Sequence, residues 1–364
     1  MKKFITCVFG CVPFAKLFCG SKKICCLKPF GSHYNAYFAL MKSSLHRLDI
    51  EPFSISYSYF ADFIWYHFIE KSYTKSRVLA RIKQHAAVGK KIIWNLHNKI
   101  PHDAKDVAKA KDFMREMAKI SNKIVIHCSE TTGVVRELCG DNPTMLEKIV
   151  LVPHPNYIGI YGAEKADNIL QNNKLSLCFF GAVKKYKNLE LLINAVNELN
   201  FNDVELKIVG RCRSASYARQ LKNLIGGNSN IITDFRFVKD NEIPQITANS
   251  HLFVLPYNLN SSLNSGATLL AFSYGRSVLS SLTGTLADIE RKDIFFAYSY
   301  TNESEHKEKL KEQIIAIREK YNGKYNELLK LGEDCKQYMV DNNSIEHVTR
   351  QLSEVFNIKF SIND

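Results

Sequence analysis

Short apolar runs alternate with longer segments of helical periodicity along the chain, and this alternation limits the folds that it can adopt. In the first half, segments 35–47, 73–88 and 103–120 have the pattern of helices. The apolar runs between and around them have the length and composition of buried strands, and these are 24–27, 50–56, 63–68, 91–97, 123–128 and 148–154. Strands that alternate with helices pair in parallel through helical crossovers, so the sequence predicts an α/β fold with doubly wound sheets.

The alternation stops at a polar stretch and then starts again, which divides the 364 residues into two domains. The polar stretch, 162–174, has the composition of a loop. Strand-like runs follow at 175–181, 204–210, 230–238, 251–257 and 276–281, and a charged helical tail covers 303–356. We predict two Rossmann-like domains with these bounds: a first domain over 1–156, a linker over 157–174, a second domain over 175–342 and a C-terminal helix over 343–364.

The positive charge of the chain is concentrated in its first half. Residues 1–156 contain 24 Lys and Arg against 12 Asp and Glu, whereas residues 157–364 contain 25 against 24. A basic half joined to a neutral half favours a domain that faces an anionic membrane surface, and the alternative is a solvated face that only keeps the protein soluble. No basic stripe with stacking aromatic residues is present, so nucleic acid is not predicted as a partner.

The N-terminal segment and the cysteines bear on the compartment. Lys2 and Lys3 precede an apolar run that Pro13 and Lys16 interrupt, which favours a membrane-surface anchor or a buried first segment over a cleaved signal peptide. The ten cysteines show no spacing typical of zinc ligands, so no metal site is predicted and a reducing, cytoplasmic compartment is favoured.

Three places that follow strands of the second half have residues suited to a diphosphate, because ligands of open parallel sheets bind beyond the carboxyl ends of the strands. The first is GAVKKYKN, where Gly181 allows close approach of the backbone and Lys184 and Lys187 supply charge before a helix start. The second is the small-residue helix start at Ser265, Gly266 and Ala267, and the third is Gly210 with Arg211. The alternatives are a solvated lysine loop, an ordinary helix cap and a surface arginine.

The order of these motifs resembles the GT-B glycosyltransferases, in particular the retaining family numbered four and its relatives in bacterial surface-polysaccharide synthesis. The second half matches in FFGAVKKYKNLELLINA, LKIVGR, FRFVKDNEIPQITANSHLFVLPY and SLNSGATLLAFSYGRSVLSS, and the first half matches more loosely in KPFGSHYNAYF, ADFIWYHF, IIWNLHN, IVIHCSE and KIVLVPHPNY. The resemblance implies a cleft between the two domains and a C-terminal helix that crosses back to the first domain. It also implies transfer of a hexose from a nucleotide diphosphate sugar, with no cofactor, to a saccharide or lipid-linked saccharide at the inner face of the membrane.

Two positions depart from the family pattern. Two glutamates eight positions apart are replaced by Ser262 and Leu270, and an arginine after the glycine is replaced by Ala182. The first departure leaves open a catalytically inactive GT-B-like scaffold that binds carbohydrate or nucleotide. No Asp-x-Asp triplet occurs, so we expect lysine, arginine and helix amides to neutralise the leaving group without a metal.

For the first domain, the resemblance implies a histidine at the end of strand 91–97 that contacts the donor sugar, and this residue is His97. The acceptor-side residues that it implies lie in loops after predicted strands and are Gly31, Asn35, His67 and Asn98. His127 is interpreted as a core histidine. The carboxylates nearest the predicted strand ends are Asp62, Asp103 and Glu130, any of which could be a general base, and the choice between retention and inversion stays open.

Overall fold

The chain folds into two units, each built around its own sheet. The computed structural model describes residues 22–28, 35–53, 58, 60–102, 104–165 and 174–360. The first unit comprises Met1–Pro155 with Ile345–Asp364, and the second unit comprises Asn156–Ser344. Each contains a six-stranded parallel sheet with helices between its strands, so the predicted α/β fold with two doubly wound sheets is confirmed.

The first unit carries strands β1 to β6 and helices α1 to α5. The strands are β1 (Lys23–Lys28), β2 (Ile50–Phe53), β3 (Phe63–His67), β4 (Lys91–Asn95), β5 (Lys123–Ile126) and β6 (Ile149–Leu151). The helices are α1 (Ala36–Arg47), α2 (Ser76–Ala87), α3 (Val107–Ile120), α4 (Glu130–Cys139) and α5 (Pro143–Leu146), and a 3-10 helix spans Ile69–Thr74. The order in the sheet is β2-β1-β3-β4-β5-β6, so the chain changes direction across the sheet between β1 and β3. Such a switch point is where open parallel sheets bind ligands.

The second unit repeats this plan with strands β7 to β12 and helices α6 to α12. The strands are β7 (Leu175–Phe180), β8 (Val204–Val209), β9 (Ile231–Asp234), β10 (Leu252–Leu255), β11 (Ser277–Ser281) and β12 (Phe296–Tyr298). The helices are α6 (Leu189–Leu199), α7 (Ala215–Ile225), α8 (Ile243–Ala248), α9 (Gly266–Ser273), α10 (Gly284–Asp288), α11 (Glu303–Tyr321) and α12 (Tyr325–Asn343). The order β12-β11-β10-β7-β8-β9 puts its switch point between β7 and β10.

The last helix, α13 (Ile345–Phe356), belongs to the first unit. Its apolar residues recur every three or four positions and join the buried core of that unit, and they are Val348, Leu352, Val355 and Phe356. The Phe356 ring meets the edge of Trp65 on β3, with 5.8 Å between ring centroids. This packing explains why the chain returns to the first sheet after completing the second.

Several boundaries differ from those that the sequence predicts. The run 91–97 ends as a strand at Asn95 and the run 251–257 ends at Leu255, so the last two residues of each lie in loops beyond the sheet. Strand β12 was not predicted, because only three residues form it at the sheet edge. Within the described ranges, none of the helices combines the length and apolar character needed to cross a membrane.

Candidate functional site

Two glycines let the ends of β7 and β8 approach each other. Gly181 and Gly210 have φ angles of +136° and +141°, which favour glycine. A Cβ atom on Gly210 would lie 1.9 Å from the carbonyl oxygen of Gly181, whereas one on Gly181 would have no atom within 4 Å. Position 210 therefore requires glycine, because the two backbones are in contact there. At Gly181 the backbone borders open space.

Lys187 sits between aromatic rings just after β7. Its Nζ lies 4.0 Å from the centroid of the Tyr257 ring and 5.4 Å from that of Tyr186, distances typical of cation–π contacts. The side chain is half-buried. Burial lowers the pKa of Lys187 to about 8. A bound anion would favour the charged form again, so this lysine gains interaction energy from an anionic ligand.

The start of α9 meets the same tyrosine. The Ser265 hydroxyl accepts a hydrogen bond from the Thr268 amide (3.1 Å) and donates one to the Tyr257 hydroxyl (2.8 Å). Gly266 is exposed and Ala267 is half-buried, so first-turn amides without a partner inside the helix border solvent. Ser265 is thus the helix cap of the alternative interpretation, yet the cap occupies only one of these amides. Lys187 and the start of α9 converge at the switch point of the second sheet.

Three buried polar atoms nearby have no hydrogen-bond partner within the described part of the chain, and none of their residues is among the predicted diphosphate contacts. They are Asn264 Nδ2, Thr268 Oγ1 and Thr283 Oγ1. The other end of the Asn264 amide accepts a hydrogen bond from Thr285 at the start of α10 (3.0 Å). An unpaired buried polar group costs about 1–3 kcal/mol, so these groups would gain from a polar ligand. The row of small hydroxyl residues in SSLNSGAT and SSLTGT was the available signal.

The remaining predicted residues of this site are exposed. Lys184 lies on the surface before the 3-10 helix Lys185–Lys187. Arg211 follows β8, and its guanidinium makes no hydrogen bond or ion pair with the part of the chain that the structure describes. Both cations border the carboxyl edge of the sheet, where they lie on the same side as Lys187.

In the first unit, histidines from four neighbouring strand ends surround one tyrosine. Tyr37 on α1 has its ring centroid 5.6 Å from those of three histidines and 4.9 Å from that of a fourth, and the four are His67, His97, His127 and His154. They follow or end β3, β4, β5 and β6 in turn. Three are buried, and His154 is half-buried. We call these five residues the histidine cluster.

Hydrogen bonds determine which ring nitrogens of the histidine cluster donate and which accept. The His127 Nδ1 donates to the carbonyl of Val152 (2.7 Å), so its Nε2 is the acceptor that faces the Tyr37 hydroxyl at 2.9 Å. The Nδ1 of His67 lies 3.2 Å from the Nε2 of His97. Burial lowers the pKa of His67 and His97 well below the usual value and that of His127 to about 4. The imidazoles are therefore neutral at pH 7, a form that can bind a sugar hydroxyl or accept a proton.

A phenylalanine and a buried carboxyl position His97. The ring of Phe68 stacks on that of His97 at 3.8 Å between centroids, and Phe68 has a φ of +51°, a strained value for a bulky residue. Glu70 is 1% exposed and accepts hydrogen bonds from the Trp94 indole (3.2 Å) and the His97 amide (3.4 Å). Burial raises the pKa of Glu70 to about 7. Neither Phe68 nor Glu70 was predicted, because their part in the site depends on tertiary contacts.

Comparison with known protein families matches part of the second unit. Residues 174–319 match the family described as Glycosyl transferases group 1. The matched residues all lie within the second unit. No curated protein sequence matches the chain.

Solved glycosyltransferase structures share the architecture of the chain. HepE from Anabaena, solved with UDP-glucose, is 13% identical with a TM-score of 0.70, over 92% of this chain and 99% of its own. A glycosyltransferase from Rickettsia africae is 13% identical with a TM-score of 0.65, over 93% and 98%. Sucrose-phosphate synthase from Thermosynechococcus elongatus is also 13% identical with a TM-score of 0.65, over 82% and 73%. At this identity the likeness shows the fold, which is GT-B.

The structure brings several predicted site residues of the first unit together. His67 and His97 meet in the histidine cluster, and Asn98 is half-buried beside His97. Asn35 caps α1 by accepting a hydrogen bond from the Tyr37 amide (3.0 Å), so its side chain helps to place that tyrosine. Gly31 lies outside the described residues.

His127, interpreted as a core histidine, is buried and hydrogen-bonded, yet it also belongs to the histidine cluster. The signal that could have revealed this was the recurrence of histidine at the end of four predicted strands, in FIWYHF, KIIWNLH, KIVIHC and KIVLVPH.

The three carboxylates that the sequence offers as a general base differ in their surroundings. Asp62 precedes β3 and accepts a hydrogen bond from the Ile24 amide (2.8 Å), so it lies at the amino edge of the sheet, opposite the histidine cluster. Glu130 forms an ion pair with Lys99 at the start of α4. Asp103 lies outside the described residues.

Ser262 and Leu270 are both buried in the second unit, so neither position places a carboxylate at the start of α9. Among the described residues, no group of three or more His, Cys, Asp or Glu side chains is arranged to hold a metal ion.

Proposed function

We propose that the chain is a glycosyltransferase that moves a hexose from a nucleotide diphosphate sugar to a saccharide or lipid-linked saccharide in surface-polysaccharide synthesis. The observation that carries this proposal is the convergence of Lys187 and the start of α9 on Tyr257, within the residues that match the glycosyl transferases group 1 family. A half-buried ammonium beside open helix amides is suited to a diphosphate. The UDP-glucose in the HepE structure supports a nucleotide sugar as the donor.

The diphosphate contacts follow from this geometry. Lys187 and the amides of Gly266 and Ala267 bind the phosphates, and Lys184 and Arg211 approach from the exposed side. Asn264 and the unpaired threonine hydroxyls supply further polar contacts. These groups stabilise the charge that develops on the leaving nucleotide, so we propose a metal-independent reaction.

The histidine cluster provides the sugar side of the reaction in this proposal. His97 contacts the donor sugar near the bond that breaks, held by the stacked Phe68 ring and by Glu70. His67 and Asn98 lie next to it and contact the acceptor. Neutral, buried imidazoles bind hydroxyl groups without competing for the negative charge of the diphosphate.

We also propose that the protein works in the cytoplasm at the inner face of the membrane. The surplus of basic residues lies in residues 1–156. A basic residue near an anionic lipid surface contributes about 1 kcal/mol to binding. The first domain would therefore face the membrane that carries a lipid-linked acceptor.

Nucleotide binding provides the decisive test. We expect one of UDP, GDP or ADP to raise the melting temperature, because a ligand at 100 times its Kd stabilises the folded state by about 2.7 kcal/mol. Transfer and hydrolysis are then measured with a panel of nucleotide sugars, with and without EDTA, and we expect activity that EDTA leaves unchanged. The absence of stabilisation by every nucleotide would contradict the proposal, and loss of activity in EDTA would contradict its metal-independent part.

A catalytically inactive scaffold is the second candidate, favoured by the absence of carboxylates at Ser262 and Leu270. The same experiment separates the two candidates. Nucleotide binding without transfer or hydrolysis of any donor would support the scaffold, whereas turnover of any donor would exclude it.

A further inference from the structure

A basic cavity of about 360 Å³ opens in the first unit, and the proposed reaction gives no role to the three cations that line it. It lies at the carboxyl edge of the first sheet, between the ends of β1 and β3 and the N-terminal half of α2. Its polar and charged lining residues are Lys28, Tyr66, His67, Ser72, Arg77 and Arg81. The place is the switch point of the first sheet, where a ligand is expected on topological grounds.

Lys28 is a buried cation with no counter-ion among the residues that the structure describes. It is the last residue of β1 and is only 8% exposed. Its Nζ lies 5.5 Å from the centroid of the Tyr66 ring, and it makes no hydrogen bond or ion pair within the described ranges. Burial lowers the pKa of Lys28, and the neighbouring Arg81 lowers it further. Lysines are rarely buried unless paired, so the position calls for an anion.

Two arginines bring more positive charge to the same cavity. Arg77 and Arg81 are exposed and one turn apart on α2, and among the described residues neither has an ion-pair partner. Like charges at this spacing destabilise a helix. No acidic residue occurs in the first turn of α2, where the helix dipole adds further positive potential. Lys83 on the same helix differs, because it pairs with Glu116 (2.8 Å).

None of the described residues that line the cavity is acidic. Glu70 is close in sequence but does not line the cavity, and its Oε1 accepts hydrogen bonds from the Trp94 indole and the His97 amide. Three cations thus share one cavity, and the described residues that line it include no carboxylate to neutralise them.

We propose that this cavity binds a phosphate group of the acceptor, an inference that rests on the proposed transferase function. Two guanidinium forks and an ammonium match the geometry and the charge of a phosphate dianion better than those of a single carboxylate. The cavity also borders the reaction site, since His67 and Phe68 line it and Phe68 stacks on His97. An acceptor held by its phosphate would therefore present its saccharide to the histidine cluster. The phosphate could belong to a lipid-linked saccharide or to a free sugar phosphate.

Titration of a phosphate probe against charge-removing variants tests the inference. The protein is first saturated with UDP to occupy the second unit, and inorganic pyrophosphate is then titrated in a calorimeter. We expect Arg77→Gln and Arg81→Gln each to raise the Kd of pyrophosphate about tenfold, the effect of losing one charge-assisted contact. Lys83→Gln removes one charge from the same helix and should leave the Kd within about twofold. Both arginines are exposed, so their variants should fold normally.

Competition arms distinguish the two sources of phosphate. Displacement of pyrophosphate by glucose 1-phosphate supports a free sugar phosphate, and displacement by phosphatidylcholine vesicles that contain phosphatidic acid supports a lipid-linked one. Wild-type affinity in both arginine variants, or no binding by the UDP-saturated protein, would overturn the inference. If UDP does not bind, the proposed function fails, but the arginine variants still decide whether the cavity binds phosphate.

Discussion

The two units place their candidate sites at the carboxyl edges of sheets with the same topology, but they build them from different groups. The first unit gathers four histidines around Tyr37 and buries most of them, which keeps the rings neutral. The second unit leaves Lys187 half-buried beside open helix amides. The sheet therefore determines where a ligand binds, and the solvation of the side chains determines whether the site suits an uncharged or an anionic group.

Hydrogen bonding reinforces the difference. In the histidine cluster most polar atoms have partners inside the protein, as His127 has in Val152 and Tyr37. Near the start of α9, by contrast, buried polar atoms of Asn264, Thr268 and Thr283 have none in the part of the chain that the structure describes. In the first site only His67 Nε2 is a buried atom without a partner among the described residues of the cluster, so that site is largely organised before any ligand arrives, whereas the second lacks three contacts that a ligand would supply.

The largest expected effect is on stability and comes from the close contact between the backbones of Gly181 and Gly210, which shapes the second site. Gly210→Ala should destabilise the protein by about 3–5 kcal/mol, because a Cβ would lie 1.9 Å from Gly181 O in addition to the strain of a positive φ. Gly181→Ala is the matched control, since it has a similar φ but free space, and should cost about 1–2 kcal/mol. Denaturant unfolding measures both. Equal losses would show that the close approach is unimportant.

The next effect separates turnover from binding in the first site. His97→Ala should lower kcat by about 10²-fold or more and change nucleotide affinity by less than about tenfold, because the contact is made most fully in the transition state. Steady-state kinetics and nucleotide titration measure the two constants, and the melting temperature checks folding.

His46→Ala, an exposed histidine on α1, serves as the control and should retain activity. Near-normal turnover of folded His97→Ala protein would give His97 a structural role.

Lys187→Ala should mainly weaken nucleotide binding at the second site, whereas His97→Ala should mainly lower kcat. We expect a loss of about 1.5–3 kcal/mol, the range for a hydrogen bond to a charged group. Lys185→Ala removes an exposed lysine from the same 3-10 helix and should change affinity far less. Nucleotide titration of both variants tests this, and equal affinities for Lys187→Ala and wild type would remove Lys187 from the diphosphate site.

The smallest expected effect is a pH dependence that belongs to the first site alone. The pKa of Glu70 rises on folding, from an ordinary value near 4.5 to about 7. Its contribution to stability is full at low pH and is lost as the pH rises through 7. Between pH 5.5 and 8, the free energy of unfolding of wild type should therefore fall by about 1–2 kcal/mol because of this carboxyl, and Glu70→Gln should not show this fall.

The buried histidines have the opposite effect on the pH dependence of stability. Their pKa values are lowered on folding, so the free energy of unfolding decreases as the pH falls. They are the same in both proteins, so the difference between wild type and Glu70→Gln isolates the carboxyl. Denaturant unfolding across this pH range measures it, with the exposed Glu137→Gln as control. Parallel pH profiles for wild type and Glu70→Gln would contradict the prediction.

Sequence patterns were most informative where burial is complete. Strands β3, β4 and β5 begin at the predicted residues because apolar runs of central parallel strands report burial directly. Strand β12 was missed because three residues at an edge carry no such pattern. The tail predicted as helical is three helices, with breaks near Asn322 and Ser344.

The two sites were predictable to different degrees for a physical reason. Near the start of α9, the elements of the second site are continuous motifs, so the pattern of small residues indicates them. The histidine cluster combines Tyr37 from α1 and Glu70 from a 3-10 helix with residues from several strand ends. Only tertiary packing brings these together, and the buried Lys28 of the basic cavity was missed for the same reason.

The return of α13 to the first unit has a consequence for the order in which the protein is made. A ribosome releases the chain from its N-terminus, so the second unit emerges whole while the first still lacks its last helix. Phe356 packs on Trp65, and Trp65 lies 4.6 Å from His67 between ring centroids. The histidines thus acquire their final packing only after Phe356 has been synthesised, so the first unit is completed after the second.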